Sequence, residues 1–190
     1  MLVRWLAVLS LTLLVAGCAT APVNGLAQDK RDSLRIDAIE VGFAPDAQVE
    51  WFDAQGGGPV DPKAQLAYLE QKAIGPIKAA LDAEILSAFR GTSPARLKVR
   101  IHLVRIPATA TRVIIAAVPY AIVSDMELVD SRTGQTLLSA TNFNGIAQSH
   151  GGVVGVAVEA MGDEPIVRVS KAYAHVLSRW LKTGQKLPWV

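Results

Sequence analysis

Apolar and polar residues alternate along several segments of the chain, and this alternation predicts strands with one buried and one water-facing side. The clearest segment is Leu97–Leu103, in which every second residue is apolar. Its alternate positions are polar: Arg96, Lys98, Arg100 and His102. Across residues 34–43 the apolar positions change parity near Ala38, which predicts a strand with a single β-bulge. A short second strand is expected over 49–53.

Two further segments, 120–129 and 135–145, flank a sequence that is typical of a turn. Asp130 can accept hydrogen bonds from nearby backbone N–H groups, and Gly134 can adopt the positive φ that closes such a turn. The two segments are therefore predicted to form a β-hairpin.

Helical spacing of apolar residues appears twice. The first helix is expected from Pro62 to Phe89, with a kink or break at Pro76 and a stop at Gly91. The second begins near Pro165, keeps its apolar residues on one side, and ends at Gly184. This order predicts an α+β fold, a mostly antiparallel sheet with two main helices packed on one face.

The first residues have the pattern of a secretory leader. Arg4 gives a positive start, and an apolar run follows from Trp5 to Val15. That run is shorter than the roughly 20 apolar residues that a membrane-spanning helix needs. It has the proportions of the hydrophobic region of a signal peptide.

The leader ends in Val15-Ala16-Gly17-Cys18, which resembles the lipobox of bacterial lipoproteins. The resemblance implies cleavage before Cys18 and attachment of fatty acids to its thiol, including the palmitate typical of such anchors. An ordinary secretory leader with an incidental Cys18 is the alternative. Ala19 stands where an aspartate would resemble an inner-membrane retention signal, so the outer membrane, on its periplasmic side, is favoured.

The leader and the segments that follow it define the expected organisation of the chain. Residues 1–17 are the lipoprotein signal peptide, 18–32 a flexible tether, 33–184 a single domain and 185–190 a C-terminal tail. Acyl chains on Cys18 would hold this domain at the membrane without a spanning helix.

Charge and cysteine content limit the classes of function. The chain has 19 basic and 17 acidic residues, and this near balance gives no electrostatic reason to expect nucleic acid as a partner. Cys18 is the only cysteine, so no disulfide within the chain is possible and the fold must depend on packing.

The basic residues Arg96, Lys98 and Arg100 share one side of a predicted strand and are candidates for contact with an anion or a protein partner. The competing interpretation is cross-strand pairing with Asp125 and Glu127, which have matching parity on the predicted neighbouring strand. We expect pairing, because a wet sheet face needs both signs of charge.

Catalysis and metal binding have little support in the sequence. Ser149 and His150 are adjacent in a glycine-rich stretch and would not face each other as a hydrolase pair requires. The histidines His102, His150 and His175 are too far apart for a common metal-binding motif. We therefore expect no enzymatic activity, no metal and no cofactor.

The order of elements, the hairpin sequence Val129 to Leu137 and the final helix together resemble small proteobacterial envelope lipoproteins. In fold pattern the domain is similar to the curli export lipoprotein and to the N-terminal domain of the Tol-system translocation protein. The resemblance implies a non-enzymatic assembly or binding role with an envelope protein as partner. A lipid or small-ligand carrier that uses the basic strand face, and a hydrolase, remain as alternatives.

Lipidation leads to a direct test. Replacing Cys18 by alanine should leave an uncut precursor that incorporates no labelled fatty acid, because the thiol is the attachment point. Metabolic labelling and the electrophoretic size of the chain check this. Normal processing of the variant would instead indicate an ordinary secretory leader.

Overall fold

A computed structural model describes residues 24–51, 62–107, 119–147 and 161–185 of the chain. The predicted leader, Cys18, the glycine-rich segments around 56 and 151–158, and Ser149 and His150 lie outside these ranges. So does the predicted tail except for its first residue, Gln185.

The described strands form one four-stranded sheet in the order β1-β2-β3-β4. The strands are β1 (Leu34–Trp51), β2 (Ser93–Ile106), β3 (Tyr120–Asp130) and β4 (Thr136–Ala147). β1 and β2 are parallel, whereas the other two neighbouring pairs are antiparallel. The predicted mixture of helices with a mostly antiparallel sheet is therefore confirmed.

Four α-helices occur in the described part of the chain. They are α1 (Gln28–Ser33), α2 (Pro62–Lys72), α3 (Ile74–Leu81) and α4 (Pro165–Thr183), and a π-helical turn (Asp82–Leu86) extends α3. The predicted long helix is thus divided at Ala73, three residues before Pro76, because the proline ring obstructs helical backbone in the preceding turn. It also ends before Gly91, at Leu86.

The predicted bulge in the first strand is present, since the pairing of β1 with β2 shifts between Ile36 and Ala38. The short second strand expected over 49–53 is instead the end of β1, which continues to Trp51 after a second irregularity between Phe43 and Gln48. The hairpin turn follows the prediction: Asp130 accepts backbone hydrogen bonds and Gly134 has a φ of 73°.

One hydrophobic core joins the sheet to α3 and α4. Leu97, Val99 and Ile101 of β2 are buried in it, while the alternating Lys98 and Arg100 are exposed. On α4, Tyr173 and Trp180 pack against Phe143 of β4, with ring centroids 6.2 and 5.2 Å apart. Gly145 lies under Tyr173, and a Cβ at this position would come within 2.8 Å of the Tyr173 Cα.

The strand pairings place the β3–β4 turn at the same end of the sheet as the starts of β1 and β2. We call this the hairpin end. α4 runs toward it: Arg168 lies over the Tyr120 ring at the far end, and Lys182 lies over Phe89 near the start of β2. Phe89 and Gly91 form backbone hydrogen bonds with the first residues of β1.

The segment before β1 differs from its prediction. Residues 24–32 fall in the expected flexible tether, yet Asn24 is buried and bonds to the last turn of α4. Residues 28–33 form α1, which contacts the same helix. The composition of this segment, taken by itself, suggests a linker. Hydrogen bonds to the end of α4 nevertheless fix the segment to the domain.

Candidate functional site

The exposed side of the sheet carries charged side chains around a shallow groove. We define the outward face as the side of the sheet that carries Glu40, Lys98, Arg100, Asp125 and Glu127. The groove there has a volume of about 580 Å³. Both signs of charge line it, and its floor is the sheet itself.

Cross-strand ion pairs occupy much of this face. Lys98 is directly opposite Glu127, with Nζ 3.5 Å from Oε2, as the parity of the two strands predicts. Arg96 pairs with Glu40 of β1 at 3.1 Å. Each of these pairs is well exposed, so each contributes little to stability.

Arg100 behaves differently from its neighbours. It lies directly opposite Asp125, as predicted, but forms no ion pair or hydrogen bond within the part of the chain that the structure describes. The Asp125 carboxylate is held instead by His102, whose Nε2 is 2.8 Å from Oδ2, and by the backbone N–H of Asn142, 2.9 Å from Oδ1. The guanidinium of Arg100 is therefore left exposed in the groove.

Irregularities in adjacent strands bring these groups together. In β1, residues 44–47 have no partner in β2, and in β2 His102 has no partner in β3. In β4, Thr141 and Asn142 together oppose Asp125, and Asn142 has a φ of 52°. Bulges redirect side chains and are over-represented beside functional sites. Here they bring His102, Asp125 and the backbone of Asn142 together beside Arg100.

The acidity of Asp125 reflects this environment. Partial burial by itself would raise the pKa of Asp125. The hydrogen bond from the Asn142 backbone and the contact with His102, helped by the attraction of Arg100, outweigh it and hold the pKa below its usual value. The pKa of Glu127 is also lowered, mainly by a hydrogen bond from the Thr136 hydroxyl and also by Lys98.

Sequence reasoning placed Arg96, Lys98 and Arg100 on one strand face, and the structure brings all three to the outward face. The sequence analysis identified His102 only as a polar position of the strand and did not predict its contact with Asp125. It also did not predict the irregularity of β2 at His102. The available signal was the adjacent apolar pair Leu103 and Val104, which ends the alternation directly after His102.

Metal and membrane-spanning features are not part of this site. Within residues 24–51, 62–107, 119–147 and 161–185, no cluster of histidine, cysteine or acidic side chains is arranged to hold a metal ion. In the same ranges, no helix is both long and apolar enough to cross a membrane.

A second depression of about 620 Å³ lies between α3 and α4. Its lining is mainly apolar, with Ala79, Ala80, Ala83 and Val167. His175 borders it, with Nδ1 3.4 Å from Oε1 of Glu84. None of the predicted site residues contributes to this depression.

The chain is similar to several proteins of known structure. A proposed lipoprotein from Caulobacter crescentus is 14% identical, with coverage of 82% of this chain and 92% of that chain and a TM-score of 0.37. Protein XCC0632 from Xanthomonas campestris is 10% identical, with coverages of 86% and 85% and a TM-score of 0.38. The PelC dodecamer from Paraburkholderia phytofirmans is 13% identical, with coverages of 80% and 89% and a TM-score of 0.35.

No protein-family model matches the chain. No curated protein matches it in sequence. With identities below 15% and TM-scores below 0.4, the three structural resemblances do not determine a function.

The lowered pKa of Asp125 leads to a prediction on stability. Because its folded-state pKa lies below the ordinary value of about 3.9, the ionised carboxylate stabilises the fold above that pH. This contribution should be lost as the pH falls through the folded-state value. The variant Asp125→Asn should therefore be less stable than the parent protein at neutral pH, and the difference should shrink below about pH 4.

Urea unfolding midpoints measured across this pH range check the prediction. Asp29→Asn is the matched control, because the Asp29 side chain makes no hydrogen bond or ion pair with other described residues. It should leave the midpoint at neutral pH unchanged. A constant difference between Asp125→Asn and the parent protein at all pH values would contradict the role assigned to the carboxylate.

Proposed function

We propose that the protein is a lipoprotein of the bacterial cell envelope, anchored through acyl chains on Cys18 to the periplasmic side of the outer membrane. In this proposal its domain is a non-enzymatic assembly or binding module that contacts an envelope protein. The anchor rests on the lipobox-like sequence Val15 to Cys18 and on Ala19 after it. The contact surface that we assign is the outward face of the sheet.

The single observation that carries the choice of surface is the state of Arg100. Its guanidinium lies in the groove without an ion-pair partner among the described residues, although acids of the same face are paired with other bases. An exposed arginine beside a groove suits bidentate recognition of a carboxylate on a partner. We infer that the two main helices share the opposite face of the sheet, which would leave the outward face open to a partner.

The mixture of charges favours a protein partner over a lipid. Glu40, Asp125 and Glu127 lie among the bases and would oppose the approach of an anionic head group. A protein surface can complement both signs of charge at once. A lipid carrier would also need an enclosed apolar cavity with cationic groups at its mouth, whereas the groove beside Arg100 is shallow and charged.

A hydrolase needs a nucleophile within hydrogen-bond reach of a base. In the described part of the chain, the buried Ser124 hydroxyl contacts the Tyr173 hydroxyl at 2.5 Å. Burial raises the pKa of Tyr173, because the charged phenolate is disfavoured away from water, so this hydroxyl stays protonated and cannot accept the proton of Ser124. The contact supports the packing of α4 on β3.

Site-specific photo-crosslinking in cells tests the proposal. Ser139 of β4 is exposed and lies opposite Glu127, at the rim of the outward face. A photoreactive residue at 139 should form an adduct with a defined envelope protein. The same residue at the exposed position 171 on α4 serves as the control and should not capture that protein.

The double variant Lys98→Gln/Arg100→Gln completes the design. It should abolish the adduct at 139 while the domain remains folded, because an exposed pair such as Lys98–Glu127 contributes little to stability. Mass spectrometry then identifies the adduct. A phospholipid adduct, lost at high salt and in the double variant, would favour the carrier alternative, and an adduct unaffected by the double variant would contradict the assigned surface.

A further inference from the structure

Asn24, the first residue that the structure describes, is fixed to the domain by hydrogen bonds. Its backbone N–H donates to the carbonyl oxygen of Gly184 at 3.0 Å, and its Nδ2 donates to that of Trp180 at 3.2 Å. These carbonyl groups belong to the last turn of α4 and to Gly184 after it, and that of Trp180 also accepts the backbone N–H of Gly184 at 2.9 Å. Asn24 is 3% exposed and is therefore fixed at the hairpin end.

The distance from this point to the anchor is short. Asn24 follows Cys18 by six positions, and a fully extended chain of that length spans at most about 20 Å. A lipid on Cys18 would therefore keep the hairpin end within about 20 Å of the membrane surface. At physiological ionic strength, electrostatic interactions are screened beyond about 8 Å. Charged side chains of the domain can therefore act on a membrane only if the chain between the domain and its anchor is short.

Exposed basic side chains surround the same end. They are Lys30 of α1, Arg90 before β2, Arg132 in the hairpin turn and Lys182 in the last turn of α4. None of these four forms an ion pair with a residue that the structure describes. Several bases of the outward face are paired with acids, and at the far end of α4 Lys171 is paired with Asp163.

Arg90 and Lys182 both line one depression. Its volume is about 300 Å³, and it is lined by Arg31, Asp32, Leu34, Ala88, Phe89, Arg90 and Lys182. Lys182 Nζ is 5.7 Å from the centre of the Phe89 ring. Asp32 is the one acid in this lining. Basic side chains around a partly apolar depression match the interfacial region of an anionic lipid leaflet.

We propose that the hairpin end of the domain lies against the anionic leaflet that holds the acylated Cys18, with Arg90 and Lys182 in contact with lipid head groups. This inference rests on the proposed lipid anchor. Attachment at a fixed point and complementary charge together orient the domain on the membrane. The outward face of the sheet then stands away from the membrane plane, where a protein partner can reach it.

Fluorescence quenching on reconstituted vesicles tests this orientation. The full chain is processed and acylated in cells, and mass spectrometry establishes the lipid on the purified protein. Because Cys18 is the only cysteine and would be blocked, the variant Thr92→Cys, at an exposed position just before β2 that leaves Arg90 and Lys182 in place, can be labelled at one position. Met161→Cys is the matched control, since Met161 is 89% exposed and precedes α4 at its opposite end.

Both labelled proteins are placed in vesicles of phosphatidylethanolamine and phosphatidylglycerol that carry a head-group quencher. Quenching at position 92 should be several-fold stronger than at position 161. The difference should fall in vesicles of phosphatidylcholine and in a Lys182→Glu variant of the labelled protein. Lys171→Glu, a charge reversal farther from this end of α4, should leave the difference intact.

The outcomes separate the two proposals. Equal quenching at positions 92 and 161 in the acylated protein would overturn the orientation and leave the lipid anchor unaffected. A protein without acyl chains that labels at Cys18 would overturn the proposed anchor, and the orientation with it. A difference that persists in phosphatidylcholine and in Lys182→Glu would overturn the assigned role of charge.

Discussion

Packing of α4 on β4 is the contact on which the rest of the structure depends. Tyr173 lies directly on Gly145, and the absence of a side chain there lets the helix approach the strand closely. The Tyr173 hydroxyl meets Ser124 of the neighbouring strand, and Trp180 packs on Phe143 two turns further along the helix. This contact gives the sheet one buried side, and it places the C-terminal end of α4 where residues before β1 can bind it.

Elements governed by local patterns could be predicted from the sequence. Alternation over Leu97–Ile101 identifies both the buried and the charged side of β2, because a strand places successive side chains on opposite sides. The positive φ of Gly134 follows from local turn chemistry in the same way. The pairing of Lys98 with Glu127 required one further assumption, that the strands are neighbours, and the register of β2 with β3 satisfies it.

Features set by long-range pairing could not be predicted. His102 contacts Asp125 because irregularities in three separate strands fall at the same level of the sheet, and no single strand carries that information. Asn24 has the composition of a linker residue, yet it bonds to carbonyl groups that are 156 and 157 positions away in the chain. Asn24 donates to carbonyl groups at a helix end, and the His102–Asp125 contact joins two side chains at irregular strand positions, so both contacts depend on the finished fold.

The central claim is that a protein partner covers the outward face in the cell. Lysine acylation by a soluble reagent measures this directly, because Lys98 is exposed in the groove and Lys171 is exposed on α4. Labelling of each lysine is compared between intact envelope membranes and the purified protein. We expect Lys98 to be protected from acylation in membranes, whereas Lys171 should react equally in both samples. Equal reactivity of Lys98 in membranes and in purified protein would contradict it.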